Sequence, residues 1–327
     1  MGTQFRWEKK GLIFAPDGRY EWMQSHAQNP SVLLLKDRLR VYFSCRGKKD
    51  DQGRFAALGT FVDLARDNPK EVLYVHDRPL LSLGGPGTFD QFGVMPGCVM
   101  HMHNEVWLYY AGWVRCEGVP YNHAIGLMTS SDGGVVFERR GRGPIFGRTL
   151  TEPFMQNSPF VMRHDNLIHM WYSSGIEWLE DHGHMESIYV LMKATSADGI
   201  NWERTGVPCV PLVVENECQT NPTVIELNGR FHMWFCYRWG LDFRNGERGY
   251  RIGYAWSEDL RTWHRADELG ELTPSEAGWD AQMVCYPCVV SIDGRTCMFY
   301  SGNYFGRDGF GYAVLAGDES PSSKSEA

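Results

Sequence analysis

Asn29-Pro30-Ser31-Val32-Leu33-Leu34 sets an X-Pro step at the end of a polar stretch and then runs directly into an apolar strand. The same pattern returns in Met95-Pro96-Gly97-Cys98-Val99, Ser158-Pro159-Phe160-Val161-Met162, Asn221-Pro222-Thr223-Val224-Ile225 and Tyr286-Pro287-Cys288-Val289-Val290. The prolines stand 66, 63, 63 and 65 residues apart. A fixed internal period of this kind is the mark of a repeat architecture.

The phase holds within each period. An aromatic strand follows each proline: Val41-Tyr42-Phe43, Trp107-Leu108-Tyr109-Tyr110, Met170-Trp171-Tyr172, Met233-Trp234-Phe235 and Met298-Phe299-Tyr300. A third strand ends in a turn at Asp132-Gly133, Asp198-Gly199 or Asp259-Leu260, where the aspartates read as turn formers. A short fourth strand then opens on an aromatic residue, as in Phe137-Glu138-Arg139, Trp202-Glu203-Arg204 and Trp263-His264-Arg265. Four strands per period with turn signals between them predict an all-β chain, a five-bladed β-propeller with four antiparallel strands per blade. The last period lacks an aromatic fourth strand, and Phe5 to Phe14 reads like Phe137 to Phe146. The N-terminal strand is therefore expected to close the last blade and leave no open edge. Residues 1–316 read as one domain, and the polar residues 317–327 read as a disordered tail.

Composition narrows the function. The net charge is −8, and no run of Lys or Arg dominates any stretch, which argues against nucleic acid or an anionic membrane as partner. No apolar run is long enough for membrane insertion, and the polar start from Met1 to Lys10 does not read as a signal peptide. Nine cysteines, an odd number, fit reduced thiols in a cytoplasmic protein. Cys285-x-x-Cys288 has no second ligand pair, and His101-x-His103 has no evident third ligand, so neither a metal nor another cofactor is expected.

In up-and-down blades the starts of first strands, the ends of second strands and the starts of third strands share one face. Residues leading into the first strands are then expected at a central mouth. Glu152, Glu215 and Asp280 stand seven positions before their prolines and Asp90 six, so these four acids are the expected catalytic pool. His26, Gln28, Asn29, Asn157, Glu217, Asn221 and Tyr286 lie on the same approaches. Arg46, Arg238 and Asn303 share one offset at the second-strand ends, with Trp113 and Trp178 nearby. Amides, carboxylates, guanidiniums and aromatic planes around a funnel suit a sugar. Its hydroxyls take directional hydrogen bonds, and the C–H face of its ring stacks on an aromatic plane.

The repeat, the Ser-x-Asp-Gly turns and the Asn-Pro strand starts resemble the five-bladed propellers of glycoside hydrolase families 43 and 32. Gly87-Thr88-Phe89-Asp90-Gln91-Phe92-Gly93-Val94 also resembles the family 130 mannoside phosphorylases. His26-Ala27-Gln28 and Met233-Trp234-Phe235-Cys236-Tyr237-Arg238 look like family-43-like bacterial proteins associated with surface polysaccharide synthesis. The family 43 resemblance implies an Asp immediately before the first proline as base, and here that residue is Asn29, whose amide cannot take up the proton. Met95 and Ser158 stand before the second and third prolines, leaving Asp90 and Glu152 as the nearest acids. Two readings follow for a carbohydrate-active protein with a sugar or glycan ligand, acidic or phosphorylated. One is a glycosidase or glycan phosphorylase that uses the funnel acids. The other is a non-hydrolytic carbohydrate-binding or surface-glycan biosynthesis protein that has lost the base.

Overall fold

The computed structural model describes residues 4–317. The tail expected from residue 317 onward lies almost wholly outside the described residues. Strand β1 (Trp7–Phe14) opens the chain, followed by β2 (Ser25–Leu34), β3 (Arg38–Arg46), β4 (Ala57–Ala65) and β5 (Val72–Val75). Next come β6 (Gly93–Met102), β7 (Glu105–Arg115), β8 (Tyr121–Ser130) and β9 (Glu138–Arg139). The third set is β10 (Gln156–His164), β11 (Leu167–Asp181), β12 (His184–Ser196) and β13 (Glu203–Arg204). The fourth is β14 (Cys218–Leu227), β15 (Arg230–Arg238), β16 (Arg251–Ser257) and β17 (His264–Arg265). Last come β18 (Cys285–Ile292), β19 (Arg295–Ser301) and β20 (Phe310–Leu315).

Pairing follows chain order within each set, and β1 pairs antiparallel with β20, giving the order β1-β20-β19-β18. The first two sets form one eight-stranded sheet through a parallel bridge between Ala57 and Gly93. The first strands neighbour one another in succession, and β18 lies against both β14 and β2.

Each X-Pro step is a bulge. Proline gives no N–H to the ladder, so the pairing slips there. The register shifts fall at Gln28/Ser31, Pro96/Cys98, Asn157/Phe160, Thr220/Thr223 and Cys285/Cys288. Asn29, Ser158, Asn221 and Tyr286, each immediately before its proline, take φ of 55°, 50°, 48° and 59°. Asn tolerates this left-handed region; Ser and Tyr are held in it by the surrounding sheet.

The aromatic second strands build the core. Five apolar clusters each draw on two neighbouring sets of strands. Tyr42 packs with Tyr110, Tyr109 with Tyr172, Trp171 with Phe235, Trp234 with Tyr300, and Phe299 with Phe43. Truncating one such ring to Ala typically removes about 3–5 kcal/mol. Asp132, Asp198 and Asp259 accept backbone N–H bonds inside their own turns, from Val135 (3.0 Å), Ile200 (2.8 Å) and Arg261 (2.8 Å).

Candidate functional site

The strand order brings first-strand starts, second-strand ends and third-strand starts to one face, where they enclose a cavity of about 520 Å³. Its floor is the set of residues before the five prolines: Asn29, Met95, Ser158, Asn221 and Tyr286. Polar side chains knit that floor together. Asn221 Nδ2 donates to Asn29 Oδ1 at 3.0 Å, and Ser158 Oγ donates to Asn221 Oδ1 at 3.1 Å. Beneath them a smaller recess of about 200 Å³ runs between the first strands, lined by Pro30, Pro159, Pro222 and Pro287.

The walls come from the other two strand positions. Arg46 and Arg238 end β3 and β15, Trp113 and Arg115 lie at the end of β7, Tyr121 and His123 open β8, Tyr189 lies in the first half of β12, and Tyr250 immediately precedes β16. Trp113 can lie flat because residue 93 is glycine. A Cβ there would stand 1.6 Å from the indole.

The charge on these walls is one-sided: among the described residues, no Asp or Glu lines the cavity. Arg238 is 2% exposed, and it donates to the carbonyls of Trp239 (2.8 Å), Gly240 (3.2 Å) and Ser187 and to Tyr189 Oη (3.2 Å), with no carboxylate partner among the described residues. It stacks on Phe243 at 3.5 Å. Arg46 has a ring contact with Phe55 at 5.5 Å and no carboxylate partner among the described residues. Burial pulls its guanidinium below the ordinary value, as expected of a cation held without a counter-charge. Nearer the rim, Arg115 pairs with Asp50 at 2.7 Å and Arg244 with Glu186. Tyr189 and Tyr250 are hydrogen-bonded to each other through their hydroxyls beside Arg238. Asn157 Nδ2 donates to His123 Nδ1 at 3.2 Å, and Asn157 Oδ1 is buried with no partner among the described residues.

Of the residues expected at the mouth, Gln28, Asn29, Arg46, Trp113, Asn157, Asn221, Arg238 and Tyr286 line this cavity. His26, Trp178, Glu217 and Asn303 do not line the cavity. Trp178 rides on the long β11–β12 hairpin and packs edge-on against Tyr121 at 5.4 Å. Asn303 Oδ1 accepts the Gln282 N–H (2.8 Å), so it serves as a loop clip. His26 is 6% exposed and lies behind the wall, with Nδ1 2.8 Å from Ser25 Oγ. The sequence reading missed Tyr121, Tyr189 and Tyr250, although the same strand-direction rule covers third-strand starts.

The four expected catalytic acids lie elsewhere: none lines the cavity, and three are buried within their own sheets. Asp90 accepts from Tyr110 Oη (2.9 Å) and from Arg139 Nε (2.8 Å) of β9. Glu152 accepts from Tyr172 Oη (2.9 Å) and from Arg204 Nη1 (2.9 Å) of β13. Asp280 accepts from Tyr300 Oη (2.9 Å) and from Lys9 Nζ (2.6 Å) of β1. Glu215 is exposed, and the fourth set uses Glu217 instead, 2.6 Å from Arg265 Nη1 of β17. Each buried acid ties the loop before a first strand to the cation of an outer strand.

Burial, aided by the charges of Arg46 and Arg307, pushes the His26 imidazole down to about 3. Its ordinary value is 6.5, so below that pH the unfolded chain binds a proton that the folded chain refuses. Stability is then present above pH 6.5 and falls as pH drops toward 3, by about 1.4 kcal/mol per pH unit for one proton. Asn accepts the φ of 65° found at this position. His26→Asn is expected to lower the slope of stability between pH 6.5 and 5 by about that one-proton amount. Urea melts at several pH values measure it, and an unchanged slope would place the proton uptake elsewhere.

Solved structures described as glycoside hydrolases share this fold. A solved structure described as a glycoside hydrolase superposes with a TM-score of 0.71 at 17% identity, covering 96% of this chain and 92% of that one. A glycosyl hydrolase from Bacteroides ovatus gives 0.68 at 14% identity, covering 95% and 94%. A member of the GH130 family of mannoside phosphorylases, in work on glycoside hydrolases that target β-1,2 mannosidic linkages in Candida mannan, gives 0.69 at 14% identity over 95% and 94%. In sequence, two Mycobacterium tuberculosis proteins are each 36% identical over 311 residues, 94% of this chain and 99% of theirs. They are Uncharacterized protein MT1551 of strain CDC 1551 / Oshkosh and Uncharacterized protein Rv1502 of strain H37Rv, and this chain belongs to their family. No family model matches it.

Proposed function

We propose that this is a carbohydrate-active protein whose cavity binds an anionic saccharide, a sugar carrying carboxylate or phosphate. One observation carries the reading: among the described residues the cavity wall has no carboxylate, and Arg46 and Arg238 have no carboxylate partner. Guanidiniums desolvated in this way recover their lost interaction when an anionic ligand enters, through charge-assisted and often paired hydrogen bonds. Gln28, Asn29 and Asn157 offer amides to hydroxyls, and Phe55 and Trp113 offer ring faces.

Cleavage by two flanking carboxylates needs an acid and a base on either side of the glycosidic bond. The cavity supplies neither among the described residues, and Asn29 Oδ1 already accepts from Asn221. The non-hydrolytic reading is therefore favoured, with Asp90, Glu152, Glu217 and Asp280 serving as ties within the sheets. The same guanidiniums would also hold inorganic phosphate, which keeps phosphorolysis as the second reading, with dihydrogen phosphate supplying both the oxygen that bonds to the anomeric carbon and the proton that the leaving oxygen takes up. Release of a sugar 1-phosphate from an oligosaccharide would select it.

We infer further that the five sets of strands are the five blades of a closed propeller. Supporting this are the apolar cluster shared by Phe43 and Phe299 and the contact of β18 with β2.

A thermal-shift panel of neutral hexoses, hexuronic acids and hexose phosphates tests the binding reading. Uronates or phosphates are expected to raise Tm by several degrees at low salt, with the shift shrinking as salt is added. Stabilisation by neutral sugars alone, undiminished by salt, would overturn it.

A further inference from the structure

The cavity continues past its rim. A recess of about 430 Å³ shares Arg54, Ala56 and Arg115 with it and runs outward beside Lys49 and Phe92. Cations outnumber acids here. Asp50 is the one acid lining the recess among the described residues; it lies 2.7 Å from Arg115 and 3.7 Å from Arg54. Lys49 has no carboxylate partner among the described residues and sits 5.1 Å from the Phe55 ring centre. Arg46, at the end of β3 within the cavity, approaches the same ring at 5.5 Å. Phe55 is thus an aromatic step between the inner guanidiniums and the outer cations. Arg115 covers Phe92 at 4.1 Å, which repeats the pairing of a ring with a cation further out.

Resting on the reading of the cavity as an anionic-saccharide site, we propose that this recess is a second anionic subsite. The ligand is then an acidic oligosaccharide with charged groups on at least two sugar units. One unit sits between Arg46 and Arg238, and the next passes over Phe55 to meet Arg54 and Lys49. A ligand with a single charge would leave the outer cations unused. A chain of charged sugars matches the alternation of ring faces and cations along the groove, and its exit to solvent sets no limit on length.

Calorimetric titration of the whole protein with D-galacturonate and its dimer, trimer and tetramer at low salt tests this. Affinity is expected to rise at least tenfold from monomer to trimer, because the second contact is made at high effective concentration. Lys49 and Arg54 are exposed, so the double variant Lys49→Ala/Arg54→Ala leaves the core untouched. It is expected to bring the trimer-to-monomer affinity ratio down toward one. A ratio near one in the unmodified protein would overturn the second subsite while leaving the anionic cavity standing. A ratio retained by the variant would also overturn it. Failure of every member of the series to bind would overturn the acidic-oligosaccharide subsite, while the hexose phosphates of the thermal-shift panel decide separately whether the anionic cavity stands.

Discussion

Glu217→Ala is expected to destabilise the protein by about 2–3 kcal/mol, because it leaves buried N–H donors unsatisfied and takes one of two carboxylates from Arg265. Glu217 is fully buried and accepts from Arg265 Nη1 (2.6 Å), Gln219 Nε2 (2.9 Å) and the backbone N–H groups of Val213 (2.8 Å) and Val214 (3.0 Å). The Arg265 side chain is only 4% exposed and keeps Asp267 at 2.9 Å and the Pro211 carbonyl at 2.7 Å, so the loss falls mainly on the donors that Glu217 alone accepts from. Glu215, two residues away and exposed, is the matched control. Glu215→Ala is expected to stay within about 0.5 kcal/mol of the parent. Chemical denaturation of the two variants side by side measures the contrast. Equal stabilities would remove the case for the acids as ties and return them to consideration as catalytic groups.

Arg46→Met should behave in the opposite way. Met keeps an unbranched stem against Phe55 and removes a desolvated charge that no carboxylate offsets. Stability is expected to hold or to rise by on the order of 1 kcal/mol, as when a poorly compensated buried charge gives way to an apolar group. Affinity for an anionic sugar is expected to fall about 10- to 100-fold, the weight of one or two hydrogen bonds to a charged group. Such a trade of binding for stability is typical of residues held in place for a ligand. A large loss of Tm with binding intact would identify Arg46 as structural.

Much of this was legible in the residues, for a physical reason. Proline cannot donate to a ladder, so Pro30, Pro96, Pro159, Pro222 and Pro287 mark the bulges, and the residues before them form the cavity floor. Strand direction likewise points to the wall that Arg46, Trp113 and Arg238 line. The acids were misplaced because an offset from proline counts chain length, and a loop of fixed length can turn its side chain inward or outward. A better signal was present. Asp90, Glu152 and Asp280 each precede by twenty positions the tyrosine they bind, Tyr110, Tyr172 and Tyr300. Two residues after the aromatic that opens each outer strand stands the matching cation, Arg139, Arg204, Arg265 or Lys9. Tyrosines and cations at a fixed distance from an acid indicate that it is already partnered.

The pairing of β1 with β20 has a consequence for the order of events during translation. The ribosome delivers Trp7–Phe14 near the start and Phe310–Leu315 near the end, so β1 emerges long before its partner strand exists. Lys9 likewise waits for Asp280. Contacts this distant in sequence form late and slowly, and an unpaired strand in the interval is open to association with other chains. The strand itself limits that hazard. Its outward positions include Glu8 and Lys10, so the waiting segment presents alternating charge on one side. Nascent chains stalled before residue 310 should therefore carry a protease-sensitive β1, and release of the finished chain should protect it in one concerted step.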